Sequence, residues 1–173
     1  VPLNHYIFDN NCLQKIMDNS GKYDSEKISP IIDGWIKNKN YGRQNLSKIN
    51  DFANWLSENS KVPALWFLLS RNRCEEYANK ITDSLIDHEV RSKIEKLFDK
   101  LLAEEHKENG VDYRLYESVL NLKKTVMKGI AYHHAGLLRI CKEIVELLFV
   151  EGYIKILFAT ETFAIGVNAP AKA

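Results

Sequence analysis

The sequence predicts an α/β protein whose parallel sheet carries helices on both faces. Three short apolar segments, at residues 64–69, 129–133 and 153–159, have the length and the flanking turn residues of buried strands. Segments with apolar residues at helical spacing lie between them. Strands that alternate with helices along a chain pair in parallel, and the connecting helices cover the sheet.

The N-terminal part of the chain carries weaker signals. Residues 3–8 alternate as in a half-buried strand, so we expect an entry strand within residues 1–17. Residues 18–45 are rich in Asn, Ser, Gly and Lys, which predicts a connection with little regular structure. Apolar residues recur at helical spacing over residues 46–56, and we place the connection and this first helix together in residues 18–60.

The remaining elements follow from continuous apolar runs and helical spacing. The run ALWFLL is typical of a central strand that is covered on both faces. A helix is predicted over residues 72–86, and a longer helical region over residues 87–128. The apolar pattern of that region lasts only about two heptads, whereas a coiled coil needs about three or four, so we predict ordinary packed helices. A helix over residues 137–150 leads to the last strand.

Composition places the chain among ordinary globular proteins. Hydrophobic residues make up 45% and charged residues 27% of the 173 residues, enough for one domain with its own core. The net charge is +1, so a polyanionic ligand would have to be bound by a local patch. No apolar run is long enough to span a bilayer, and no signal peptide opens the chain. Because the chain begins with Val1 and not with methionine, we expect it to be a piece of a longer protein.

The three cysteines predict free thiols. Cys12, Cys74 and Cys141 form no CxxC pair, which argues against a disulfide framework and against a zinc site. Cys74 and Cys141 fall on apolar helix faces, so we expect both to be buried. Free thiols are typical of reducing compartments, and we therefore predict a cytoplasmic or nuclear protein.

The ends of the three predicted strands carry the candidate ligand-binding residues. Ser70 and Arg71 follow the first strand, His134 and Gly136 follow the second, and Thr160 follows the third. The carboxyl ends of parallel strands lie along one edge of a sheet, where ligands bind. Hydroxyls, a guanidinium, a glycine backbone and helix N-termini are groups that bind phosphate. The sequence therefore predicts an anion-binding edge.

Several signatures of an independent catalyst are missing from the sequence. The eight glycines do not form a GxxxxGK[ST] loop, and no acidic box for Mg²⁺ follows a strand. The five histidines do not reach metal-ligand spacing, and no Ser-His-Asp or Cys-His signature is present. We do not expect this chain to catalyse a reaction alone.

Three blocks of the sequence, together with its opening residues, resemble a known family. PALWFLLSRNRCEEYA resembles motif IV, and YIKILFATETFAIGVNAPAKA resembles motif V, of the superkiller-type DExH-box RNA helicases of superfamily two. GIAYHHAGLLRICKEIVELLFVEG resembles the segment between them, and VPLNHYIF resembles the entry strand. The likeness is to the second RecA-like domain of these exosome-assisting proteins. It implies a partial RecA-like domain over residues 61–173, ending after motif V, with a helical insertion at about residues 87–128.

The resemblance implies a function and alternatives to it. It implies the C-terminal motor domain of an ATP-dependent RNA helicase, which is an NTP hydrolase. The implied partners are single-stranded RNA, an N-terminal RecA-like domain of the same parent protein and the RNA-decay machinery. No membrane partner is implied. ATP and Mg²⁺ would act in the parent protein, and this chain alone would be inactive. A non-catalytic RecA-like module that binds RNA or protein is an alternative. A DNA helicase domain is another, because DNA-repair relatives share the HHAGL and GVNxPA elements, although the residues after the last strand look more like the RNA-directed branch.

The resemblance also implies roles for particular residues. Those at the three strand ends would bind the RNA backbone: Ser70, Arg71, His134, Gly136, Thr160, Glu161 and Thr162. Gly166 and Asn168 would face the nucleotide between the two domains, and no metal ligand is expected in this chain. Plainer roles exist, since Arg71 could be a solvated arginine and Thr160 a helix cap. Two positions depart from the family: Arg139 stands where proline is usual, and Ala169 replaces a larger apolar residue.

Overall fold

The computed structural model describes residues 4–9, 12–18, 20–37, 48–161 and 163. The chain divides into two compact units, Val1–Lys48 and Ile49–Ala173. The first predicted helix lies in the second unit and packs on its sheet, where Phe52 makes an edge-to-face contact with Trp66 (ring centroids 5.2 Å apart).

The first unit contains a hairpin and a helix. Strands β1 (His5–Asp9) and β2 (Cys12–Met17) pair in antiparallel fashion, and helix α1 spans Ser25–Lys37. The predicted entry strand is present as β1, but the second strand was not predicted. The expectation of little regular structure is wrong for α1. Its apolar residues do recur at helical spacing, but Pro30, Gly34 and the polar composition around them obscure the pattern.

The second unit contains a three-stranded parallel sheet, as the sequence predicts. Its strands β3 (Ala64–Phe67), β4 (Ile130–His133) and β5 (Ile156–Ala159) are ordered β3-β5-β4. The helices of this unit are α2 (Ile49–Glu58), α3 (Arg71–Lys80), α4 (His88–Asn109), α5 (Glu117–Val126) and α6 (Arg139–Val150), and a short 3₁₀ helix spans Tyr113–Leu115.

Helices cover both faces of this sheet. On one face, Trp66 of β3 and Phe158 of β5 pack against Tyr77 of α3. On the other face, the ring of His133 in β4 lies 2.8 Å from Glu146 of α6. The prediction of an α/β fold with a parallel sheet between helices is therefore confirmed, and it is the arrangement of a RecA-like domain.

The helical region after residue 87 forms part of the core. Its side chains Ile94, Phe98, Leu122 and Val126 are fully buried. Burial of each such side chain contributes roughly 1.5–3 kcal/mol relative to exposure. Asp87 caps the start of α4 by accepting a hydrogen bond from the Val90 amide (2.8 Å), and Gly110 ends that helix in a left-handed conformation with φ of 74°.

Two thiols are buried as predicted. Cys74 and Cys141 are fully inaccessible to solvent, and burial raises the pKa of both thiols to about 11. Both are therefore neutral and unreactive at physiological pH. Within the part of the chain that the structure describes, no helix is at once long and apolar enough to cross a membrane.

Two sequence-based expectations for this unit are wrong. The predicted central strand lies at the edge of the described sheet, where it pairs only with β5, and its end residue Phe67 is 51% exposed. Leu69, which is 96% exposed, belongs to the turn into α3. The helix predicted to run to residue 86 ends at Lys80, because Ile81 adopts an extended conformation and packs into the core from the following loop.

Candidate functional site

The three chain segments that follow the parallel strands leave the sheet at the same edge. Phe67, Ala159 and His133 are neighbours in register at the carboxyl ends of their strands. The hydrogen-bond ladder continues past them, since the Leu68 amide donates to the Ala159 carbonyl (2.9 Å) and the Thr160 amide donates to the His133 carbonyl (3.2 Å). We call residues 68–71, 134–136 and 160–161 the carboxyl edge. It brings together the described candidate residues Ser70, Arg71, His134, Gly136, Thr160 and Glu161.

Ser70 and Arg71 form the junction between β3 and α3. Ser70 precedes the helix in an extended conformation, with φ of −137° and ψ of 125°, and its carbonyl accepts the Cys74 amide (3.1 Å). The Ser70 hydroxyl makes no hydrogen bond to another described residue. Arg71 is the first residue of α3, and it is exposed. A hydroxyl and a guanidinium therefore lie side by side at this end of the helix.

Arg71 has no carboxylate partner among the described residues, unlike Arg114 and Arg139 of the same unit. Arg114 pairs with Asp112 at 2.7 Å, and Arg139 pairs with Glu105 at 2.7 Å. Among the residues that the structure describes, no acidic side chain comes within ion-pair distance of Arg71. A guanidinium carries five hydrogen-bond donors in a planar fork that matches phosphate, and that of Arg71 is available for such a ligand.

Gly136 lies directly against the side chain of Arg71. A β-carbon at Gly136 would come within 3.6 Å of Arg71 Cδ and within 3.2 Å of His134 Nδ1. The second of these distances is tighter than most side-chain contacts, so a larger residue would displace its neighbours. Glycine at this position therefore allows the loop after β4 to approach α3 closely.

His134 is held by two protein groups. The residue is 3% exposed, its Nε2 lies 2.9 Å from Oε1 of Glu75, and its Nδ1 accepts a hydrogen bond from the Gly136 amide at 3.1 Å. A carboxylate can only accept and an amide can only donate, so both contacts are satisfied by the neutral ring with its proton on Nε2. Both ring nitrogens of His134 are thus occupied by protein groups, and the ring supports the loop after β4. The role of His134 in binding RNA stays a prediction.

Thr160 and Glu161 begin the turn after β5. The Thr160 amide is used in the bond to His133, and the Thr160 carbonyl accepts the Phe163 amide (3.1 Å). Thr160 is half-buried, and Glu161 is exposed. Phe163 is 2% exposed, and its ring packs edge-on against His133, with centroids 4.8 Å apart. A buried aromatic side chain thus anchors this turn to the sheet.

The first histidine of the HHAG sequence, His133, has a different environment from that of His134. Its Nε2 lies 2.8 Å from Oε1 of Glu146, and its buried Nδ1 has no hydrogen-bond partner among the described residues. Burial lowers the pKa of His133, although the hydrogen bond to Glu146 acts in the opposite direction. The folded protein therefore favours the neutral imidazole.

Three predicted site residues lie outside the described part of the chain, and one residue of the site was not predicted from the sequence. Thr162, Gly166 and Asn168 lie outside the described residues. Glu75 was not predicted, and the available signal was its position one helical turn after Arg71. Among the residues that the structure describes, no group of three His, Cys, Asp or Glu side chains could hold a metal ion.

Comparison with known proteins identifies the family. No protein-family model matches the chain. It is 44% identical over 120 residues to the DExH-box ATP-dependent RNA helicase DExH11 of Arabidopsis thaliana, covering 69% of this chain and 9% of that protein. It is 34% identical over 190 residues to the exosome RNA helicase MTR4 of Homo sapiens, covering 99% of this chain and 17% of that protein.

A further relative belongs to the superkiller group. The chain is 31% identical over 194 residues to superkiller complex protein 2 of Mus musculus, covering 99% of this chain and 15% of the relative. The chain thus spans less than a fifth of the length of these three proteins. The parallel sheet is the one expected for this family, and the chain corresponds to one segment of each longer relative. The chain therefore belongs to the superkiller-type family of DExH-box RNA helicases.

Proposed function

We propose that this chain is part of the second RecA-like motor domain of an ATP-dependent RNA helicase, and that its carboxyl edge binds the backbone of single-stranded RNA. The proposal depends on one observation. Arg71 is exposed, it has no carboxylate partner among the described residues, and its Cδ lies close to Gly136. The names of the relatives support the choice of RNA.

The carboxyl edge offers the groups that a sugar-phosphate chain requires. Arg71 would bind one phosphate through two parallel N–H donors, and the Ser70 hydroxyl would donate to the same or the next phosphate. Gly136 would let the strand approach the loop after β4 closely. The net charge of the whole chain is only +1, so affinity would come from this local set of donors. Thr160, Glu161 and Thr162 would line the same path.

The ATP-dependent part of the proposal relies on sequence outside the described residues. We propose that Gly166 and Asn168 face ATP across a cleft completed by an N-terminal RecA-like domain, and that Mg²⁺ is held by that other domain. The 173-residue chain alone is then expected to lack ATPase activity. By analogy with the relatives' names, the full-length protein would serve RNA decay with the exosome in the cytoplasm or nucleus.

Substitution of Arg71 tests the RNA-binding role in the full-length protein. Arg71→Ala is expected to weaken binding of a single-stranded oligoribonucleotide about threefold to tenfold, because it removes a charge-assisted hydrogen bond. The slope of log affinity against log salt should become shallower by about 0.7, which corresponds to one lost phosphate contact on a single strand. Fluorescence anisotropy at several salt concentrations measures both quantities.

Arg73→Ala is the matched control for this experiment. Arg73 is also exposed, and no described carboxylate pairs with it, but it lies about 200° around helix α3 from Arg71. Its removal changes the net charge equally and should leave both the affinity and the salt slope near those of the unmodified protein. Full RNA affinity and full RNA-stimulated ATPase activity in Arg71→Ala would refute the proposal.

The two alternatives predict different results in the same assays. A DNA helicase would bind single-stranded DNA of equal length as tightly as RNA, because it would not use the 2′-hydroxyl. A non-catalytic module would bind RNA without RNA-stimulated ATP hydrolysis by the full-length protein.

A further inference from the structure

We propose that Glu75 is a positioning residue of the carboxyl edge: it orients His134 so that this ring holds the loop after β4 against Arg71. This inference rests on the proposed function, because the loop and Arg71 that Glu75 would position are the groups proposed to bind RNA. Glu75 lies on α3, and His134 begins the loop after β4, so the contact joins two of the three segments that form the edge.

A continuous series of contacts leads from Glu75 to the exposed loop. Oε1 of Glu75 lies 2.9 Å from Nε2 of His134, and Nδ1 of the same ring accepts the Gly136 amide at 3.1 Å. The His134 carbonyl accepts the Leu137 amide, also at 3.1 Å. Ala135 and Gly136 are exposed, whereas His134 and Leu137 are buried. The hydrogen bonds of His134 therefore fix the conformation of the part of the loop that faces solvent.

The carboxylate selects the ring state on which this loop depends. A neutral imidazole can carry its proton on either nitrogen, and only the Nε2–H tautomer leaves Nδ1 free to accept the Gly136 amide. The Glu75 carboxylate accepts a proton donor and cannot donate one, so it favours that tautomer. Without Glu75, the ring could carry its proton on Nδ1. The Nδ1–H and the Gly136 N–H would then be two donors facing each other, and a buried donor without an acceptor destabilises the loop.

The same contact keeps the Glu75 carboxylate away from Arg71. The two residues are four apart on α3, a spacing at which an arginine and a glutamate commonly pair. In the structure Glu75 instead contacts His134, and Arg71 has no described carboxylate partner. A carboxylate paired with Arg71 would neutralise the charge that RNA is proposed to use. His134 thus has two effects: it holds Gly136, and it retains Glu75.

Removal of the Glu75 carboxylate should change RNA affinity in opposite directions, depending on whether its charge or its contact with His134 matters more. Glu75 is a negative charge close to the proposed phosphate site, so charge alone predicts tighter RNA binding when it is removed. Loss of the His134 contact predicts weaker binding, because the loop beside Arg71 is no longer fixed. The sign of the change therefore separates a positioning residue from an acidic residue that happens to lie nearby.

Three variants of the full-length protein test the proposal by RNA-binding anisotropy. Glu75→Ala should weaken binding of a single-stranded oligoribonucleotide about threefold to tenfold, the effect of one lost hydrogen bond in the loop. Glu75→Gln should bind at least as tightly as the unmodified protein, because its amide oxygen still accepts the Nε2–H and carries no charge. Glu76→Ala is the matched control: its side chain is 47% exposed against 48% for Glu75, and it pairs with Lys80 on the same helix.

Two further readouts distinguish this role from general stabilisation. Hydrogen exchange at the amides of residues 135–137 should accelerate in Glu75→Ala and stay unchanged in Glu75→Gln and Glu76→Ala. In the RNA-stimulated ATPase assay, Glu75→Ala should raise the RNA concentration required for half-maximal activity and leave the rate at saturating RNA unchanged.

Failure of this inference and failure of the proposed function give different results. If Arg71→Ala weakens RNA binding while Glu75→Ala binds RNA as tightly as the unmodified protein or more tightly, Glu75 has no positioning role and the RNA-binding edge stands. If neither substitution weakens RNA binding, the carboxyl edge is not the RNA site, and both proposals are refuted.

Discussion

At the scale of single residues, the two consecutive histidines at the end of β4 serve opposite faces of the sheet. His133 contacts Glu146 of α6, and His134 contacts Glu75 of α3. Neighbouring residues of a strand point to opposite faces, so the pair HH delivers one imidazole to each helix layer. His134 has partners at both ring nitrogens, whereas His133 has an unpaired buried Nδ1 in the described structure.

The environment of His133 predicts a dependence of stability on pH. Burial lowers its pKa in the folded state, opposed by Glu146 and assisted by the charge of Lys142 and the proximity of His134. The unfolded chain therefore binds a proton more readily, and the free energy of unfolding falls as pH decreases through the unfolded pKa of about 6.5. His133→Gln should make the free energy of unfolding less dependent on pH between about 7 and 5, the range around that value.

Urea denaturation of the 173-residue chain, followed by circular dichroism at several pH values, measures this effect. His88→Gln is the control, since His88 is an exposed histidine at the start of α4. It should retain the pH dependence of the unmodified chain. An equal flattening of the pH dependence in both variants would show that the burial of His133 is not its cause.

The sequence predicted residues of the carboxyl edge but not the contact between Glu75 and His134 that supports this edge. Ser70, Arg71 and Gly136 follow apolar runs directly, and the parallel topology places them together. The contact between Glu75 and His134 joins residues 59 positions apart. It depends on the rotation of α3 about its axis and on the register of β4, and no local pattern in a single sequence specifies either.

At the scale of elements, an ion pair links α4 to the start of α6. Arg139 is the first residue of α6, and its guanidinium contacts both oxygens of Glu105, at 2.7 and 2.8 Å. Glu105 also accepts a hydrogen bond from Asn109 (2.8 Å), and it is only 7% exposed. Proline, which is usual at this position in the family that the chain resembles, suits the first turn of a helix but cannot make such a pair.

Replacement of Arg139 by proline is expected to lower the free energy of unfolding. The backbone should tolerate it at the first helical position, so the cost arises from the Glu105 carboxylate, which loses its cationic partner while remaining buried. The effect should be smaller in a Glu105→Gln background, where no buried charge is left unpaired. A double-mutant cycle by urea denaturation measures the coupling, and equal effects in both backgrounds would show that the ion pair contributes nothing.

The ends of helices and strands were harder to predict than their presence, because apolar residues also occur in the loops just beyond them. Leu69 extends the apolar run of β3 in the sequence, but it lies in the exposed turn before α3. Ile81 continues the apolar pattern of α3, yet its side chain enters the core from a loop. The apolar pattern indicates which side chains are buried, whereas the end of a helix or strand depends on the backbone conformation. The last residue of the pattern is therefore not always the last residue of the element.

At the scale of the whole molecule, the hydrophobic core belongs to the second unit. The buried core residues begin at Ile49 and end at Phe163, and none of those described lies in the first unit. The sequence predicted the sheet but placed α2 with the connecting segment. The contacts of α2 are long-range: Asn50 and Asn54 each donate to Oδ2 of Asp83, at 2.8 and 2.6 Å. Such contacts cannot be read from local spacing.

Two shortened chains test where the folded unit begins. A chain of residues 49–173 retains α2 and the whole described core, so it is expected to unfold cooperatively. A chain of residues 61–173 lacks the buried side chains of Ile49 and Leu56. It should lose at least about 3 kcal/mol, because burial of each such side chain contributes roughly 1.5–3 kcal/mol.

Urea denaturation monitored by tryptophan fluorescence distinguishes the two chains, because Trp66 packs edge-to-face against Phe52 of α2. In residues 61–173 the Trp66 emission should shift to the red already in the absence of urea, as water reaches a ring that α2 otherwise covers. Asp83 would also lose both asparagine donors, and these hydrogen bonds hold its pKa below the usual range. Equal stability of the two chains would mean that α2 is dispensable and that the unit begins only after it.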